Sequence, residues 1–152
     1  MNMSAEQNLQ RLGIVLPKAS EPAAKYANFV IVNGLLFISG KGPSGHPSGK
    51  LGAALTTEEG YVFARAAGLE VLAVLQAGLG SLDRVKRVVK VQGFVNATPD
   101  FTEHHKVLNG FSDLLMEVFG PDQGTHARSV LGAVSVRDNL PIIVDSIFQV
   151  ED

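Results

Sequence analysis

The chain has 152 residues, 45% hydrophobic and 18% charged, the balance of one soluble domain long enough to bury a sizeable core. A formal net charge of −2 gives no basic field for a phosphate backbone, and zero Cys excludes a disulfide framework, a thiolate nucleophile and a sulfur-bound zinc site. Residues 1–10 lack the basic and apolar regions of a signal peptide and the longest apolar run is broken by Asn33-Gly34, so the expectation is a cytoplasmic protein with no membrane or nucleic-acid partner.

In chain order, Ser4-x-x-Gln7 has the form of a capping box opening a short helix, with Gly13 placed to close it before Pro17. Residues 18–24 read as an irregular connector, so 1–24 form an N-terminal helix and connector inside a single domain spanning 1–152. Phe29-Val30-Ile31-Val32 and Leu35-Leu36-Phe37-Ile38 are β-rich runs separated by Asn33-Gly34, a pair that supplies the positive φ angles of a type I′ hairpin turn. Both runs are apolar at nearly every position, which predicts cover on both sheet faces, helices on one and another subunit on the other. Gly40 to Gly52, with five glycines and two prolines, predicts a surface loop. Its Gly45-to-Leu51 stretch is one residue short of a phosphate loop, lacks the Ser or Thr after Lys50, and loses a backbone donor at Pro47, so nucleotide binding is not expected.

Thr56-x-x-Glu59 is a second capping box, predicting a long helix from Thr57 to Gly78 with an apolar stripe through Val62, Ala66, Leu69 and Ala73. Val88 to Val95 alternates as a strand with one wetter face. Asp100-x-x-Glu103 is a third capping box, opening a helix on which His104, Leu108, Phe111, Leu115 and Val118 recur until Gly120-Pro121 stops it. Ala127 to Val136 reads as a buried strand, Arg137-Asp138-Asn139 turns the chain, and Ile142 to Val150 is the last strand. After the first helix the order is ββαβαββ, which predicts an α+β fold with a mixed sheet and helices packed on one face. The uncovered apolar face predicts homo-oligomerisation.

Thr125-His126-Ala127-Arg128-Ser129 concentrates the chemistry. A guanidinium carries five donors in a rigid fork and keeps its charge, so near a core Arg128 needs a carboxylate, carbonyls, water or a bound anion. A structural ion pair and a solvent-facing strand residue are the alternatives to a ligand-binding role. His126, two residues earlier, projects to the same strand face and titrates in the useful range, with a solvent-facing strand entrance as the other reading. His104 and His105 point about 100° apart on a helix, and no acidic cluster or H-E-x-x-H accompanies them, so no metal is expected.

Asn33-Gly34-Leu35-Leu36-Phe37-Ile38-Ser39-Gly40, Phe119-Gly120 and His126-Ala127-Arg128-Ser129 together resemble the RidA/YjgF family of reactive imine and enamine deaminases, formerly called endoribonuclease L-PSP, in its longer branch. The resemblance spans nearly the whole chain. It implies a chorismate-mutase-like fold and a homotrimer whose sheets form an inner barrel. It also implies ligand sites in clefts between subunits, a small carboxylate-bearing ligand, and no cofactor or metal. By the same resemblance Arg128 falls on the arginine that clamps the ligand carboxylate, for which bidentate geometry suits it. Tyr26 falls on the pocket tyrosine, Ser39 and Gly40 on the Ser-Gly pocket edge, and His105 on an Asn position of the second long helix. The chain departs from the pattern at Ile143, where deaminase members carry a water-positioning glutamate. Asp145 faces the same side two residues on; it matches a second strand acid of the family, and is either a substitute for that glutamate or a structural partner of a cation or backbone donors.

The implied activity is hydrolysis of a 2-imino or 2-enamino acid to the 2-keto acid and ammonia, with Arg128, His126 and Asp145 as the candidate catalytic set. A trimeric carboxylate-binding protein without the chemistry is the alternative that Ile143 motivates. RNA cleavage fits poorly with a negative chain that has no basic stripe.

Overall fold

The computed structural model describes residues 3–151. Helix α1 (Ala5–Leu12) is closed by its capping box, Ser4 Oγ accepting from the Gln7 N–H and Gln7 Oε1 from the Ser4 N–H, and Gly13 ends it in the left-handed region. Strands β1 (Phe29–Val32) and β2 (Leu35–Lys41) pair antiparallel across Asn33 and Gly34, whose φ angles of 51° and 76° are those a type I′ turn needs. The rest follows as α2 (Thr57–Leu79), β3 (Val85–Asn96), α3 (His104–Gly124), β4 (Ala127–Ala133) and β5 (Ile142–Val150). The sheet order is β1-β2-β5-β3-β4, antiparallel throughout except for β3 and β4, which are parallel across the α3 crossover.

Both long helices lie on one face of this mixed sheet, as an α+β fold of this pattern requires. Along β5, Ile142, Val144, Ser146, Phe148 and Val150 are buried against them, while Ile143, Asp145 and Ile147 turn to the other face. The two helices approach closely because Gly110 has no side chain: a Cβ there would overlap the Tyr61 carbonyl oxygen. The open face carries two apolar cross-strand rows, Val30-Phe37-Ile147 and Ile143-Phe94-Leu131, on either side of a polar row, Asp145-Gln92-Ser129. Val30, Phe37 and Leu131 are 54%, 43% and 47% exposed there, well outside the usual fate of such residues in a lone chain.

Several expectations need correction. The stripe on α2 is misplaced: Val62 is 61% exposed, and burial runs without interruption from Glu70 to Leu75 because this half of the helix is covered by the sheet and by α3 together. For the same reason α2 is long and apolar enough to cross a bilayer, yet 56% of that stretch is buried in the fold. Asp100 caps nothing. Its carboxylate accepts from Thr98 Oγ1, while Glu103 spends its own on Thr57 Oγ1 and Lys106 Nζ, so α3 starts with no side-chain cap. Gly120, at φ 82° and ψ 171°, breaks α3 without stopping it, and Pro121 begins a final turn to Gly124. The strand carrying Arg128 ends at Ala133 and is an edge strand, mostly exposed or half-buried, in place of the buried run expected from its apolar composition. The segment after Gly40 is tied down: Leu51 is fully buried and bridges to Ala97, and Lys50 Nζ donates to Asn96 Oδ1 and the Val134 carbonyl.

Candidate functional site

Arg128 pairs in register with Val91 and so points to the helix-covered side of the edge strand, beneath α3. Its Nη1 donates to Ser112 Oγ at 3.1 Å and its Nη2 to the His105 carbonyl at 3.0 Å. Ser112 Oγ lies 2.9 Å from His126 Nε2, and His126 Nδ1 lies 2.6 Å from the Gly124 carbonyl. A carbonyl only accepts, so in the neutral imidazole Nδ1 bears the hydrogen and Nε2 accepts from the Ser112 hydroxyl, whose oxygen in turn accepts from Arg128. The tripod of Gly124, His126 and Ser112 thus fixes one edge of the guanidinium. Burial lowers the Arg128 pKa and the Asp113 carboxylate opposes that shift. No carboxylate of the described residues lies within ion-pair distance of it, which removes the structural ion-pair reading and leaves N–H donors and a full charge for another partner.

His105 enters through its carbonyl, since its imidazole is exposed; the ring of His104 packs edge-on against Phe101. Among the described residues no three His, Asp or Glu side chains converge as a metal site requires.

The other expected residues gather around the irregular pairing of β2 with β5. Ser39 Oγ donates to the Ala27 carbonyl at 2.7 Å, and the Tyr26 hydroxyl accepts from the Ala23 N–H at 3.3 Å with the side chain half exposed. Gly40 abuts Ile143, where a Cβ on the glycine would come within 2.7 Å of Ile143 Cγ2. Asp145 stands beside them, half-buried and without a hydrogen-bond or ion-pair partner among the described residues; burial raises its pKa and Lys90 pulls the other way. Among the described residues Lys90 is the cation that acts on this carboxylate, without a direct ion pair.

These are two separate clusters. Strands β5 and β3 lie between β2 and β4, three inter-strand steps or about 14 Å, and Arg128 faces the helices while Asp145 faces away from them. Within one chain the arrangement puts the Arg128 guanidinium at one edge and Tyr26, Ser39, Gly40 and Asp145 towards the other. Ser112 was not legible beforehand, because a single Ser on an amphipathic helix carries no motif; its one signal is that it lies two helical turns from His105. Also unforeseen is a buried pair behind Gly40, Lys41 and Glu70, 7% and 8% exposed.

Residues 6–146 match the family model described as "YjgF/chorismate_mutase-like, putative endoribonuclease". Protein TCP17 of Trypanosoma cruzi is 46% identical over 149 residues, covering 95% of this chain and 93% of that protein. Among solved structures, a "putative endoribonuclease" from Shewanella oneidensis superposes with a TM-score of 0.92 at 32% identity, over 97% of this chain and 100% of the other. Protein Atu1372 of Agrobacterium tumefaciens, of unknown function, gives 0.87 at 34% identity, over 97% and 92%.

Proposed function

Because the chain belongs to the YjgF/chorismate mutase-like family, we propose that it hydrolyses small 2-imino and 2-enamino acids to 2-keto acids and ammonia, with the substrate carboxylate on Arg128. The observation that carries this reading is the guanidinium itself: half-buried, held rigid along one edge by Ser112 and the His105 carbonyl, and without a carboxylate of its own. The pocket wall on the far side of the sheet completes a site only if it comes from a second copy. In this proposal Arg128 of one subunit faces Tyr26, Ser39, Gly40 and Asp145 of the next, across clefts of a homotrimer whose open sheet faces form the inner barrel.

The chemistry asks for orientation more than for force. Water adds to the electrophilic imine carbon, the C=N electron pair moves to nitrogen, and nitrogen takes a proton. The carbinolamine nitrogen then takes a second proton, the C–N bond breaks as the hydroxyl proton passes to the base that supplied it, and ammonia leaves with the 2-keto acid behind. Asp145, with a pKa raised by burial, is the group supported as proton donor and acceptor. His126 has both ring nitrogens engaged, so its role is to position Arg128 through Ser112.

One observation favours a second reading. Ile143, packed against Gly40, puts an apolar side chain where deaminases of this family carry a water-positioning carboxylate, and a trimeric carboxylate-binding protein would look the same in every other respect. The two separate in one assay. With 2-imino acids generated in situ by an amino-acid oxidase, the protein should accelerate keto-acid release and Arg128→Ala should abolish the gain. No acceleration across several side chains, with benzoate still binding at Arg128, would establish the binding reading instead.

A further inference from the structure

We propose that the cavity behind Gly40, between β2, α2 and the segment after β2, is a second ligand site, which takes a small primary-ammonium compound with Glu70 as its counter-charge. This goes beyond the proposed deaminase reading and does not depend on it, although Tyr26 and Gly40 line this cavity as well as the pocket wall.

The cavity is about 330 Å³, large enough for a small metabolite. Glu70 enters it from the middle of α2, 92% buried, with Oε2 meeting no hydrogen-bond donor among the described residues. Lys41 does not answer this charge directly. Its ammonium donates instead to Asn28 Oδ1 at 2.6 Å and Ser20 Oγ at 3.2 Å, beyond ion-pair distance from Glu70, and keeps one N–H unspent. Arg137 lies on the wall and Pro43 to His46 close the mouth, where Gly45 and His46 take φ angles of 82° and 51° in a tight turn.

A protein gains nothing in stability by burying a carboxylate that nothing bonds, and a ligand ammonium at the Glu70 carboxylate supplies both the charge and the donor it lacks. A metal ion is a poor occupant, because Glu70, Glu21 and His46 all line the cavity yet no three such side chains converge as a metal site among the described residues. An anion alone is a poor occupant because it would face Glu70. Lys41, with one N–H unspent among the described residues, and Arg137, one nitrogen of which is engaged by Asp138, also line the cavity and offer donors to a carboxylate at the ligand's other end, so amines and amino acids are the two sources to separate.

Amide chemical shifts of the full-length protein would be followed with ethylammonium, L-alanine and acetate as probes. The expected result is that one or both ammonium probes shift Lys41 and Ser44 to His46 saturably, and acetate does not. Binding by L-alanine alone assigns the site to amino acids, and equal binding by ethylammonium assigns it to amines. Glu70→Gln should weaken binding at least about tenfold, Glu70→Asp less, and Arg128→Ala should leave it intact while losing benzoate. The proposal is overturned if neither ammonium probe binds at tens of millimolar, if acetate binds equally, or if Gln at position 70 binds as Glu does.

Discussion

Ser112 mediates between Arg128 and the ring of His126, so its hydroxyl matters for aim more than for charge. Ser112→Ala should lower the affinity for benzoate about three- to tenfold, a smaller loss than that of Arg128→Ala, as titration calorimetry would report. Glu70 sets a second measurable effect. Burial raises its pKa, so between the ordinary carboxylate value and the raised one the folded chain holds a proton that the unfolded chain has released. Stability therefore falls as pH rises through that window and levels off above it. Urea titrations from about pH 4 to pH 8 should show this slope, to which Asp145 adds in the same sense, and Glu70→Gln should reduce it and raise stability at neutral pH. At this scale the sequence was informative where residue type and motif coincide, as at Tyr26, Ser39 and Arg128. It was silent on Lys41 and Glu70, which sit in a glycine-rich stretch and an apolar helix and meet only once the sheet has brought them together.

Among elements, local capping chemistry was readable when the side chains had nothing better to do. Thr56 and Glu59 cap α2 reciprocally, whereas Glu103 has Thr57 and Lys106 within reach and Asp100 has Thr98. Thr56→Ala should cost about 1 kcal/mol in thermal melts, and Asp100→Ala should leave the melting temperature nearly unchanged. Gly110→Ala should cost about 2 kcal/mol or more, because the new methyl meets backbone of α2 that cannot step aside without parting the helices. Strand β4 is more exposed than its apolar composition implies. Val130, Leu131, Val134 and Val136 look like a core sequence, yet Leu131 and Val134 are 47% and 90% exposed in the single chain. Apolar periodicity reports that a surface is to be covered and does not say by what.

For the whole molecule, that distinction becomes a prediction about assembly. Two apolar rows on the open sheet face, centred on Phe37 and Leu131, are what a second copy would bury. Phe37→Lys combined with Leu131→Lys should convert a multimer to monomer in light scattering and abolish imine hydrolysis with it, while benzoate on Arg128, which faces the helices, loses only the contacts of the neighbouring subunit. A wild-type protein that scatters as a monomer would remove the shared cleft altogether.

The position of β5 has one more effect. It follows every other strand in the chain, yet it lies between β2 and β3 and is hydrogen-bonded to both. Until β5 pairs, no strand hydrogen bonds join the β1-β2 hairpin to the β3-α3-β4 unit, and each presents open backbone edges. The sheet becomes continuous only when Ile142 to Val150 enters as its central strand, so the two halves of the sheet depend on one segment for their union.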